Sequence, residues 1–268
     1  MKDPTHLQAL YAGFCDTPLL WKNAAVHNLE QLHVTAYAPQ FLRNVERRLR
    51  LGQLAERFVF NQLDTDPHFK ILAENVQIQD QKRTVGELDA LILEQSQATH
   101  LELVYKFYLY DERLGNSETQ RWIGPNRRDS LEEKLNKLEL KQLPLLYSAH
   151  CRPILEALQL NLEHIKQKVL FKAQLFTPYQ NEVPFENLNR HCVSGFYMRP
   201  NQLQPFLNAK FYIPKKMDWF LKPHSFVEWQ NFEAFSKAVP SFLAQQKSPL
   251  FWLKKRNGEL LKCFLVWW

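Results

Sequence analysis

Three segments of alternating apolar character, residues 69–79, 84–94 and 99–110, follow one another with only four residues between each pair. Each reads as a β-strand. A parallel crossover needs a dozen residues or more, so links this short leave only hairpins and predict an antiparallel meander. Alternation then sorts the side chains. In the second strand Val85, Glu87, Asp89 and Leu91 share one face, opposite Leu88, Ala90 and Ile92. In the third, His100, Glu102, Val104, Lys106 and Tyr108 share a face, opposite Leu101, Leu103, Tyr105 and Phe107. A turn centred between Gln95 and Ala98 sets Asp89 opposite Glu102 or Val104, and either register gathers Asp89, Glu102 and Lys106 in one patch with Glu87 at its edge.

Ionised groups beside a core are paired or bind something. Two carboxylates suit Mg²⁺ (or Mn²⁺), a hard cation held by one or two protein oxygens together with waters and phosphates. A lysine beside them would position attacking water or stabilise charge on a phosphorane. A helix expected over residues 42–63, on the spacing of Leu42, Val45, Leu49, Leu54, Phe58 and Leu63, adds Glu56 to the candidate catalytic set. Its first half carries Arg43, Arg47, Arg48 and Arg50. The plainer readings are a cross-strand salt-bridge ladder, with Glu87 or Glu102 against Lys106, and an exposed helix glutamate at Glu56.

The remainder of the chain frames this patch. Residues 6–32 look helical, broken at Thr17-Pro18. A loop over 120–128 precedes a charged helix starting near Asp129, which with Glu132 forms a capping-box-like pair. Helix continues to about residue 160, broken near Pro144 or Pro153. A fourth strand is expected over 169–176. Beyond a boundary near residue 177 the chain is rich in aromatics, with short strands at 195–198 and 210–213 and a helix within 226–245. A hairpin turning at Asn257-Gly258 closes the chain. Arg127 and Arg128 precede a helix start and are candidate phosphate contacts, and Trp122 is a candidate base-stacking residue. The plainer alternatives are a solvated charged helix and a tryptophan capping the core.

GxGxxG and GxxxxGK[ST] are both absent, which argues against a dinucleotide fold or a P-loop enzyme. The formal charge of +6 suits an anionic partner. Four scattered cysteines, Cys15, Cys151, Cys192 and Cys263, lack CxxC spacing and predict free thiols in a reducing, cytoplasmic compartment. The adjacent pairs His150-Cys151 and His191-Cys192 make poor zinc chelates. No apolar run of about 18 residues predicts a membrane span.

The order of helix with glutamate, three antiparallel strands, charged helix and fourth strand is that of the PD-(D/E)XK nuclease superfamily. More closely, the segments Arg50-Leu51-Gly52-Gln53-Leu54-Ala55-Glu56, Gly86-Glu87-Leu88-Asp89-Ala90, Glu102-Leu103-Val104-Tyr105-Lys106-Phe107-Tyr108-Leu109 and Trp122-Ile123-Gly124-Pro125-Asn126-Arg127-Arg128-Asp129 resemble the domain of unknown function 1853 family, itself linked to that superfamily. The resemblance implies an α/β, restriction-endonuclease-like core over residues 1–177 with an α+β C-terminal part over 178–268. It also implies Mg²⁺-dependent hydrolysis of DNA or RNA, or a non-cleaving binding or interaction module on the same fold. By motif position Asp89 would be the superfamily's aspartate and Lys106 its lysine, with Asp89, Glu102 and Glu87 toward the metal. The acidic position two before the lysine is Val104, and Glu102 lies about 13 Å from Lys106 along the strand.

Overall fold

A computed structural model describes residues 4–22, 26–34, 39–45 and 49–268 of the 268. In chain order the elements are helix α1 (Pro4–Cys15), helix α2 (Leu51–Thr65), strands β1 (Phe69–Asp80), β2 (Arg83–Glu94), β3 (Gln97–Tyr110) and the two-residue β4 (Trp122–Ile123). Helix α3 (Leu131–Lys137) and helix α4 (Arg152–Ala157) follow, then strands β5 (Lys166–Pro178), β6 (Val193–Met198) and β7 (Lys210–Tyr212). Helices α5 (Phe232–Ala238) and α6 (Pro240–Leu243) and strands β8 (Leu250–Lys254) and β9 (Leu260–Leu265) complete a mixed α/β chain.

The described residues form two compact units, one holding 19–105 and 133–172, the other 4–18, 106–132 and 173–268. The boundary expected near residue 177 lies inside β5.

In the first unit the expected meander is present. β1 and β2 pair antiparallel from Phe69↔Glu94 to Asp80↔Arg83, and β2 and β3 pair antiparallel from Glu94↔Gln97 to Ala90↔Leu101. Ile78, Leu88, Leu91, Leu146, Cys151, Leu155 and Ile165 make one buried cluster in this unit. Each such large side chain contributes roughly 1.5–3 kcal/mol by leaving water.

Helix α2 starts at Leu51, not at 42. Arg50 is extended, and the Gln53 side chain accepts the Arg50 amide at 3.0 Å. The apolar residues before it belong to a segment that doubles back along the helix. The Leu42 amide bonds Asn61 Oδ1 at 2.7 Å, Asn61 Nδ2 bonds the Gln40 carbonyl, and Phe41 meets Phe58 edge-on at 5.0 Å. Phe41 and Leu49 are buried while Leu42 is exposed. Apolar spacing alone does not separate one long helix from a helix with a strap folded over it. Arg47 and Arg48 lie outside the described residues.

The helix expected across 6–32 likewise stops at Cys15. The described residues 19–22 and 26–32 are not helical, and β5 supplies backbone partners to Leu19, Leu20, Gln31 and Leu32 instead. Leu20 N–H bonds the Phe171 carbonyl at 2.8 Å, Leu32 N–H bonds the Val169 carbonyl at 2.7 Å, and Leu19↔Lys172 and Gln31↔Val169 form bridges. After Lys137, helix α3 widens into a π-turn, Leu138–Gln142, and then 3₁₀ turns over Leu143–Tyr147 and Ala149–Cys151.

In the second unit the last residues of β5 pair parallel with β6, β6 pairs parallel with β9, and β9–β8–β7 continue antiparallel. The β8–β9 hairpin turns at Gly258, whose φ of +85° suits a residue without a side chain. Phe211 stacks on Phe235 at 4.4 Å above a core that includes Met198, Phe206, Phe251 and Leu265. All four cysteines are free. No helix among the described residues is long and apolar enough to cross a membrane.

Candidate functional site

β2 and β3 part company beyond Ala90↔Leu101, where β2 continues against β1 alone through Leu88↔Val76, Glu87↔Gln77 and Gly86↔Ile78. At this fork Asp89 Oδ2 accepts the Leu103 backbone N–H at 2.8 Å. The carboxyl takes a donor that the ladder no longer serves, and an unmet buried donor costs about 1–3 kcal/mol. The register, continued one step, sets Asp89 across from Glu102.

Glu102 is fully buried, and each of its oxygens is held. His100 Nε2 lies 3.2 Å from Oε1, and Gln142 Nε2 donates to Oε2 at 2.5 Å. Lys134 Nζ in turn donates to Gln142 Oε1 at 2.7 Å. The π-turn after α3 is what brings Gln142 round to the strand.

The third and fourth carboxylates come from α2 and from the open side of β2. Asn75 Nδ2 stands 3.4 Å from both Glu56 Oε2 and Glu87 Oε1. Asn75 has a φ of +52° in mid-strand, between Glu74↔Ala90 and Val76↔Leu88. Asn tolerates this left-handed conformation better than most residues.

The charge balance shows in the titrations. Burial raises Glu56 to about 7, and the charge of Glu87 adds to the rise; Arg57 and the Asn75 hydrogen bond oppose it. Burial raises Asp89 to about 8, followed by repulsion from Glu102; the Leu103 N–H opposes this, and the Lys134 charge does so more weakly. Strong perturbation of neighbouring carboxyls is a mark of functional sites.

Glu56, Asn75, Glu87, Asp89 and Gln142 line a cleft of about 1020 Å³. Glu56, Glu87 and Asp89 are among its acidic groups, and Arg50, Arg57, Lys137 and Lys141 supply cations around them. Among the described residues no group of three or more His, Cys, Asp or Glu is arranged to hold a metal ion. What the fork offers is the Asp89–Glu102 pair, and Mg²⁺ is often held by only one or two carboxylates plus waters and substrate phosphates. The donor set fits: hard oxygens, mutually repelling, with Asp89 pushed up partly by its neighbour's charge.

The other candidates fare differently. Lys106 Nζ bonds Asp129 Oδ2 at 2.6 Å, within the second unit. Helix α3 begins at Leu131, and Glu132 accepts the Thr119 hydroxyl. Val104 is buried. Arg127 donates to Asp111 Oδ2 at 2.8 Å and lies 4.7 Å over the Trp268 ring. Burial raises Asp111, but hydrogen bonds from Arg113 and Arg127 outweigh it and hold that carboxyl down at about 2. Arg128 is exposed. Trp122 is completely buried, edge-on to Tyr110 at 5.1 Å and tilted against Phe185, so no base can stack on it.

The sequence places His100 on the face of Glu102 but carries no signal that brings Asn75, Lys134 and Gln142 to this site. Nothing in a strand sequence announces a left-handed asparagine. Lys134 lies in the charged helix whose plainer reading is a solvated face, and Gln142 reaches Glu102 from the π-turn, which changes the helical phase.

No curated protein and no solved structure matches the chain. A family model does, from residue 9 to residue 265, so the chain belongs to the family described as Domain of unknown function (DUF1853).

Proposed function

We propose that this protein is a nuclease of PD-(D/E)XK type that hydrolyses phosphodiester bonds of nucleic acid with Mg²⁺ or Mn²⁺. The observation that carries the reading is the fork: Asp89 lines a cleft with a cationic rim and stands across from buried Glu102 where two strands separate. Asp89 and Glu102 would hold the cation, with Glu87 at the edge. Bound there, it would supply Lewis-acid polarisation of the phosphate and a lowered pKa for water.

The chain's own groups account for the rest. Lys134, not Lys106, is the lysine acting on the pair, through Gln142 and through its charge on Asp89. Glu56, raised to about 7, is tuned to take a proton from attacking water near neutral pH. Arg50, Arg57, Lys137 and Lys141 suit phosphate contacts along the strand being cut. Four free thiols accord with a reducing, cytoplasmic compartment.

The test is cleavage of plasmid and of labelled single strands with Mg²⁺ or Mn²⁺, comparing the parent with Asp89→Ala. Metal-dependent cutting that disappears in the variant supports the reading; cutting that survives traces to a contaminant. A second reading, a non-cleaving nucleic-acid-binding or interaction module on the same fold, is favoured by buried Val104 at the acidic position and by Lys106 being engaged with Asp129. It predicts metal-independent binding and no product.

A further inference from the structure

We propose that His100 is a positioning residue for Glu102, fixed by Gln167 in the tautomer that donates to the carboxylate. The inference rests on Asp89 and Glu102 being the cation pair.

His100 and Glu102 are two apart on β3 and so share a face, and both are wholly buried. A buried imidazole beside a buried carboxylate is costly unless every polar atom is matched. The partners settle which ring nitrogen carries the proton. Gln167, on β5, has its Nε2 at 2.7 Å from the Leu143 carbonyl. A carbonyl only accepts, so that atom is the amide nitrogen and not its oxygen. The same nitrogen stands 3.0 Å from His100 Nδ1. A donor facing Nδ1 requires Nδ1 to accept. The ring proton therefore sits on Nε2 and points at Glu102 Oε1, 3.2 Å away.

Gln142 is fixed by parallel logic. Lys134 can only donate, so it marks Gln142 Oε1, leaving Nε2 to donate to Glu102 Oε2. One donor on each oxygen stops the carboxylate from rotating and keeps a lone pair on each oxygen free. Hydrogen-bond partners that orient a metal-binding side chain contribute about 10–100-fold to affinity. His100 does this from a wholly buried position on the same face as Glu102.

The proposal is tested on the full chain with Mn²⁺ as the probe, by EPR titration of free ion. His100→Phe keeps a ring and removes the donor, and is expected to weaken Mn²⁺ binding about 10–100-fold. His100→Gln restores an amide donor and is expected to recover most of that loss. Thermal melts of all three proteins separate loss of fold from loss of orientation. Should His100→Phe fail to fold, ring-nitrogen NMR of the parent decides: a proton on Nε2 supports the assignment, and a proton on Nδ1 overturns it. Parent and folded His100→Phe binding Mn²⁺ equally would overturn positioning by His100 while leaving the cation pair standing. A parent that binds no Mn²⁺ would remove the pair itself, and His100's role with it.

Discussion

Asp89 carries two duties that pull in opposite directions. Its carboxyl completes the backbone at the fork, and it also faces Glu102 with its ordinary acidity suppressed to about 8. A group whose folded pKa lies above its unfolded value contributes stability below about pH 4, and that contribution is lost as pH rises toward 8. Asp89→Asn keeps an oxygen for the Leu103 amide and removes the charge. Its stability relative to the parent should therefore grow from pH 5 to pH 9, by on the order of 1–3 kcal/mol. Urea denaturation at pH 5, 7 and 9 measures this, and a difference constant across that range would contradict it. Asn75 offers a second check. Asn75→Gly keeps the φ of +52° without strain, whereas Asn75→Ala adds about 1 kcal/mol of left-handed strain, so Ala should melt lower than Gly. Alternation and a short turn narrow the partner of Asp89 to Glu102 or Val104, and the observed register selects Glu102. Asn75 was not legible in the sequence, because backbone handedness at a single strand residue depends on what the neighbouring strand and helix require.

The elements were read well where their signals were local and poorly where they were tertiary. Four-residue links fixed the meander, and Asn257-Gly258 fixed the last hairpin. Helix α2 was started too early because the strap at Phe41 and Leu42 borrows the helix's own spacing. The helix expected over 6–32 runs too far because the backbone partners of Leu19, Leu20, Gln31 and Leu32 lie on β5, far away in sequence. The same limit applies to the lysine of the site. Motif position favoured Lys106 on β3, yet Lys106 serves Asp129, and the lysine tied to Glu102 through Gln142 comes from α3. Lys134→Met should therefore weaken Mn²⁺ binding about tenfold or more, while Lys106→Met leaves it within about twofold. Equal losses in both variants would return the role to β3.

For the molecule as a whole, the proposed cation site would link the raised carboxyls, protons and stability. Asp89 at about 8 and Glu56 at about 7 must give up protons for the site to hold a cation. Mg²⁺ should therefore raise the melting temperature more at pH 8.5 than at pH 6, since ligand stabilisation grows with affinity. Scanning calorimetry with and without Mg²⁺ reads this, and a pH-independent gain would argue against the pair. Phosphate contact by the rim predicts a salt-dependent affinity for DNA. Replacing Lys137 and Lys141 with Gln should lower the log–log salt slope by about 1–2. A slope unchanged in that variant would move the nucleic acid elsewhere. One consequence of the fold concerns handling the protein in pieces. Among the described residues the chain passes between its two units four times, after residues 18, 105, 132 and 172. No single cut yields either unit whole: a fragment ending at 177 carries 106–132 without most of the partners it packs with, and one starting at 178 lacks both that segment and α1. Deletion mapping would thus report misfolding rather than the location of activity, and function in this chain has to be dissected by point substitution.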